Sequence, residues 1–246
     1  MARFFLSADS WTQGSTLDEE QSRHCSQVLR KQAGDHITVF DGLGRLAEAR
    51  ITGVKKNAVL LEIGDMQYAE KSTPEIILAQ SIPKGKTMDW IVEKAVELGV
   101  SRIIPLITRY TVVKYDANEA SRKAEKWQKV AMEACKQCGQ NWMPIVENPI
   151  DWNYYINRSI DGLKIIASLA EGATSLRELL EKNPTTQQVT ILIGPEGDFT
   201  SEETTAAISK GFQPVTLGDI VLRTETATMF CLSAIRCRYI DMKPNL

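Results

Sequence analysis

Val189-Thr190-Ile191-Leu192-Ile193-Gly194-Pro195-Glu196-Gly197-Asp198-Phe199 is the stretch of this 246-residue chain from which its fold can be read. Five mostly β-branched residues bounded by polar ones predict a buried strand, and the run after it predicts a loop at the carboxyl end of that strand. Ligands of α/β proteins bind at such ends. Gly194 and Gly197 allow positive φ and close approach of the backbone to a ligand, while Pro195 fixes its own φ and removes a donor from the turn.

A second segment of the same kind lies downstream, Leu217-Gly218-Asp219-Ile220-Val221-Leu222-Arg223-Thr224-Glu225-Thr226-Ala227. It follows the short apolar run Pro214-Val215-Thr216-Leu217 and precedes an apolar helix expected from about Thr226 to Tyr239. Arg223 and Glu225 flank Thr224 there, where charges are poorly placed for packing. Glu171-Gly172, after Ile165-Ile166-Ala167-Ser168-Leu169, makes a third loop of this type. If the three strands are neighbours in one sheet, the three loops meet at one ligand.

From Pro74 onward the pattern alternates. Strands at Ile76-Ile77-Leu78-Ala79 and Ile103-Ile104-Pro105-Leu106-Ile107 are separated and followed by helices over 87–98 and 118–138, with further helices at 176–180 and 201–210. Alternation predicts a mainly parallel sheet covered by helices. Before Pro74 the reading is different: short strands at 3–6, 36–40, 47–51 and 58–63, punctuated by Gly34-Asp35, Asp41-Gly42-Leu43-Gly44 and Lys55-Lys56-Asn57, predict a small barrel with one helix over 19–31. The polar stretch 68–74 reads as the linker.

Hydrophobic residues are 43% and charged residues 24%, the composition of an ordinary folded domain, and no apolar run reaches the roughly 20 residues of a membrane span. A cytoplasmic protein without a membrane partner is expected. Five cysteines argue against a disulfide framework. The net charge of −2 means that any nucleic acid must be held by a local patch. In the helix over 118–138 one face (Ala120, Ala124, Trp127, Ala131, Ala134, Cys138) reads as buried, and Arg122, Lys126, Lys129 and Lys136 make a basic stripe opposite, either a solvated surface or a phosphate contact.

Three simpler chemistries are set aside. Cys135 and Cys138 form a single C-x-x-C without a second pair, so no metal is expected. Lys84-Gly85-Lys86-Thr87 ends like a phosphate-binding loop, but Gln80 stands where that loop needs glycine. His24 and His36 are the only histidines and leave little material for a nucleophilic triad.

The residues that remain resemble the RsmE family of S-adenosylmethionine-dependent methyltransferases. The resemblance is carried by Arg3-Phe4-Phe5, Val28-Leu29-Arg30, Phe40-Asp41-Gly42, Lys84, Met88-Asp89-Trp90, Glu97-Leu98-Gly99-Val100, Glu133-Ala134-Cys135, Gln137-Cys138-Gly139 and, most specifically, the two C-terminal segments. It implies an α/β protein: a PUA-like β-barrel for RNA over residues 1–70, then a SPOUT trefoil-knot methyltransferase domain with a parallel sheet over 74–246, the knotted helix beginning near Glu225. It implies S-adenosylmethionine as cofactor, bound bent, 16S ribosomal RNA as substrate within the assembled small subunit, methylation at N3 of a uridine, and a homodimer whose active sites use both subunits. Ile220, Asp198 and Gln140 depart from the family pattern, where arginine, glycine and arginine are frequent.

The implied donor site draws on Leu169 and Glu171 from the first loop, on Ile193, Gly194, Pro195, Glu196 and Gly197 from the second, and on Leu217, Gly218, Leu222, Arg223, Thr224, Thr226 and Ala227 from the third. Uracil N3 carries a proton at neutral pH, so a base is needed. Glu225 is the preferred candidate and Glu196 the second, with Arg223 against the charge that spreads to the uracil oxygens. Arg3, Arg30 and Lys84 are candidates for RNA phosphates. The competing readings are a non-catalytic RNA-binding assembly factor and a methyltransferase of another RNA such as tRNA.

Overall fold

A computed structural model describes residues 1–11, 15–169 and 172–239. The described residues divide into two compact units, one within 1–71 with 132–143, the other within 72–131 with 144–239.

In the first unit β1 (Arg3–Phe5), β2 (His36–Phe40), β3 (Arg45–Lys55) and β4 (Ala58–Tyr68) form one sheet in that order. β1 pairs parallel with β2 and the remaining pairs are antiparallel. Residues alternate inward and outward along β3, and Ala47, Ala49 and Ile51 go to a core completed by Phe4, Ile37, Val39, Val59 and Leu61. This is the period-two burial of a sheet with one solvated face. α1 (Glu19–Arg23) is capped by Asp18, whose carboxylate accepts from the amide of Gln21, and the chain continues through a π turn over His24–Val28. Trp142, far along the sequence, closes this unit by donating its indole N–H to the Ala69 carbonyl and lying over Gly44, where a Cβ would approach the indole to 2.6 Å.

The second unit holds β5 (Glu75–Ser81), α2 (Thr87–Glu97), β6 (Arg102–Ile107), α3 (Ala117–Cys138, whose last turns belong to the first unit), β7 (Ile145–Val146), β8 (Ile150–Asp151), α4 (Trp152–Ile156), β9 (Leu163–Ala167), β10 (Thr174–Ser175), α5 (Leu176–Lys182), β11 (Gln188–Ile193), α6 (Ser201–Ser209), β12 (Gln213–Thr216) and α7 (Thr224–Tyr239). Its sheet runs β10-β12-β9-β11-β5-β6-β7, with β8 also on β6, and every pairing is parallel. β11 is the strand quoted at the outset. It lies between β9 and β5, and Val189, Ile191, Leu192 and Ile193 are almost wholly buried. Full burial of a branched aliphatic is worth roughly 1.5–3 kcal/mol, so this run alone anchors the sheet. α7 packs on α2 and α5.

Two expectations about α3 need adjusting. Ala124, Trp127, Ala131, Ala134 and Cys135 are buried, but Cys138 is exposed, because the buried stripe ends at Cys135 and the helix terminates three residues later. On the basic face Lys126 pairs with Asp89 and Lys136 with Glu133, so part of that stripe is neutralised within the protein.

Candidate active site

β12, β9 and β11 are consecutive in the sheet, and the loops after their carboxyl ends line one cleft of about 530 Å³ together with the start of α7. β11 is inserted between β9 and β5, which precede it in sequence. The chain therefore crosses over on either side of this point, and the crossovers leave a crevice above the strand ends. The chain amide of Ser168 donates to the Val215 carbonyl and so fastens the first loop to the third strand.

The loop after β11 is shaped by Asp198, not by its glycines. Neither Gly194 nor Gly197 occupies the left-handed region; Asp198 does, at φ 60°. Aspartate tolerates that region better than most residues with a side chain, which explains how it can hold this turn without a glycine. The glycines answer to close approach. A Cβ on Gly194 would come within 2.8 Å of Asp198 Oδ1, and one on Gly197 would press on Tyr110 at 3.3 Å. The Asp198 carboxylate accepts from the Phe199 amide at 2.8 Å and from the backbone of Leu169, joining the second loop to the first. Burial pushes its pKa above the usual aspartate range despite these two bonds.

Beneath the cleft lies a polar bracket. Gln80 at the end of β5 is fully buried; its amide nitrogen donates to the Ser81 carbonyl and to Thr224 Oγ1 at 3.1 Å, and its oxygen accepts from Thr228 Oγ1 at 2.6 Å. Thr224 in turn donates to the Gly194 carbonyl at 2.6 Å. Each buried polar group thereby has a partner, as the interior demands. The consequence is geometric: the first turn of α7 is pinned to β5 and to the loop after β11. The sequence reading missed Gln80 as a site residue, although a glutamine closing an otherwise apolar strand was a visible signal.

Arg223 and Glu225 flank the pinned Thr224 and both line the cleft. Arg223 is exposed and Glu225 half-buried, and neither side chain has a hydrogen-bond or ion-pair partner among the described residues. Glu196 is engaged: its Oε1 accepts from the Lys84 amide at 2.9 Å and ties the loop after β11 to the loop after β5. Leu169, Ile193, Gly194, Pro195, Leu217, Gly218, Leu222 and Ala227 also line the cleft, as does Lys84. Gly197 and Thr226 do not, the first facing Tyr110 and the second lying exposed on α7. Glu171 lies outside the described residues. Asp198, Ile220 and Val221, within the expected loops but not named as donor contacts, join the lining, and so do Thr87, Ala167, Ser168 and Thr216.

In the first unit Arg3 is occupied internally. Its guanidinium donates to Asn141 Oδ1 at 2.7 Å and lies 4.8 Å from the centre of the Phe40 ring. Burial lowers its pKa. Arg30 is exposed, at φ 54°, just past the π turn, with Val28 and Leu29 exposed beside it.

Residues 70–236 match the RNA methyltransferase domain family, and residues 17–64 match the RNA methyltransferase PUA domain. The chain is 32% identical to the ribosomal RNA small subunit methyltransferase E of Synechocystis, over 89% of this chain and 72% of that protein. To the protein of the same name from Bacillus subtilis it is 29% identical, over 89% and 88%. Among solved structures, the ribosomal RNA small subunit methyltransferase E of Neisseria gonorrhoeae bound to S-adenosyl methionine superposes with a TM-score of 0.86 at 33% identity, covering 97% of this chain and 98% of that one. A Legionella pneumophila protein in complex with the cofactor SAM superposes with a TM-score of 0.88 at 33% identity, covering 96% and 97%.

Proposed function

Because the chain belongs to the RNA methyltransferase family, we propose that the cleft binds S-adenosylmethionine and that the protein methylates N3 of a uridine in 16S ribosomal RNA. The observation that carries this reading is the meeting of three loops, from adjacent strands, with the pinned start of α7. The residues fit the donor. The cleft has the size of a small-molecule site, Leu169, Ile193, Leu217 and Leu222 offer apolar walls to a purine, and carboxylates stand near for a cationic group.

Bound there, the donor would supply a methyl group already made electrophilic by its sulfonium, which leaves the protein mainly to align the attacking atom and manage a proton. Glu225, half-buried and without a partner among the described residues, takes the N3 proton. Arg223, one residue before the helix, faces the negative charge that moves onto the uracil oxygens. Glu196 acts on the loop, through the Lys84 amide. The first unit, as a PUA-type domain, carries the RNA with Arg30, and Lys84 holds a phosphate at the cleft; Arg3 supports that unit from within.

The working form is a homodimer acting on the assembled small subunit. Trp90 on α2 and Phe230 on α7, two helices that pack together, and Ile220 and Val221 at the cleft are exposed apolar side chains that a second copy would cover. Mapping of methylated uridines in ribosomal RNA from cells with and without this protein is expected to show one N3-methyluridine in the small-subunit RNA that depends on it. An unchanged map would refute the assignment of substrate.

A further inference from the structure

We propose that Asp198 makes the cleft discriminate between the cationic methyl donor and the neutral thioether left after transfer, holding the first and letting go of the second. The inference rests on the donor reading above and adds a residue to which that reading gives no part.

Four observations lead to it. Asp198 lines the cleft between the loops after β9 and β11. Its carboxylate is oriented by two backbone donors, from Phe199 and Leu169, whereas a carboxylate has about four acceptor positions, so capacity remains for a ligand. Burial raises its pKa, which means that its negative charge is poorly solvated and gains from a nearby cation. Finally, the charge around it is unbalanced. Among the described lining residues three carboxylates, Glu196, Asp198 and Glu225, face two cations, Lys84 and Arg223, and Asp198 has no ion pair. The bare Gly194 leaves room for the carboxylate, since a Cβ there would meet Oδ1.

Methyl transfer changes the charge of the donor. The carbon–sulfur bond breaks with its electron pair left on sulfur, the new carbon–nitrogen bond forms from the N3 pair, the N3 proton passes to Glu225, and the sulfonium becomes a neutral thioether. A fixed negative charge in a poorly solvated cleft favours the sulfonium and loses that interaction once the methyl group has gone. A residue whose only task is to clasp two loops would support both ligands equally.

The test is calorimetric binding of S-adenosylmethionine and of S-adenosylhomocysteine to the full-length protein and to Asp198→Asn and Asp198→Gly, two substitutions compatible with the left-handed backbone. The preference for the cation, taken as the ratio of the two dissociation constants, is expected to fall about fivefold in both variants. Weakening of both ligands by a common factor, with the ratio unchanged, would overturn the proposal and reduce Asp198 to a clasp. Failure of the parent protein to bind either ligand would overturn the donor reading, and this proposal with it; the two failures are therefore distinguishable.

Discussion

Two sets of polar side chains meet at the start of α7 and differ in one respect. Below the cleft Gln80, Thr224 and Thr228 bond to one another and to the Gly194 carbonyl. At its rim Arg223 and Glu225, each one residue away from Thr224, have no partner among the described residues. Saturation marks the groups that hold the backbone, since leaving a polar atom unpaired in the interior is costly. Want of a partner, in a cleft, marks the groups free to act on something that arrives. Neighbouring positions of one motif thus do different work.

The comparison is most directly broken at Glu225. Glu225→Gln is expected to lower the single-turnover rate of methyl transfer by about 100-fold or more while donor binding is retained, because a carboxamide fills the same space and accepts no proton at neutral pH. An unaltered rate would place Glu225 with the structural groups. The opposite change is Gln80→Leu, which removes the centre of the bracket while keeping its volume. It should destabilise the protein by about 2 kcal/mol in urea unfolding, since it strips a partner from both threonine hydroxyls at once. Loss of stability without the large rate effect of the Glu225 change would sharpen the division.

Glu147 offers the smallest effect and a control among carboxylates. Burial pushes its pKa up, but hydrogen bonds from Arg158 at 2.7 Å and Arg102 at 3.0 Å outweigh that and hold it below the usual glutamate range. A depressed folded-state pKa contributes stability at pH values above the unfolded-state pKa and loses it as pH falls through the folded-state one. Glu147→Gln should therefore cost about 1 kcal/mol at neutral pH, and the gap between parent and variant should close below about pH 4. Methyl transfer measured at neutral pH should not respond.

Much of this was legible in the residues. The strand read at 189–193 is observed at Gln188–Ile193, and the helix read at 118–138 at Ala117–Cys138. β7, β8 and β10, of two residues each, and the five-residue α4 are too short to show a period and were not anticipated. The loop after β11 was recognised for its glycines, yet the unusual backbone conformation sits on Asp198, because whether a glycine serves φ or clearance depends on what lies against it. Arg3 was taken as a phosphate ligand from its place in a motif, and the partners that occupy it, Asn141 and Phe40, are remote in sequence.

By itself the sequence determined the alternation of strands and helices, the short strands and turns of the first unit and the three loops worth watching, since these follow from hydrophobic period and turn chemistry, which are local. Only the tertiary structure decided that β9, β11 and β12 lie side by side, that residues 132–143 fold with the first unit, and that Gln80 meets Thr224 across 144 positions. Order of strands in a sheet and pairing of buried polar groups are settled by packing among distant segments, and a pattern read along the chain carries no term for them.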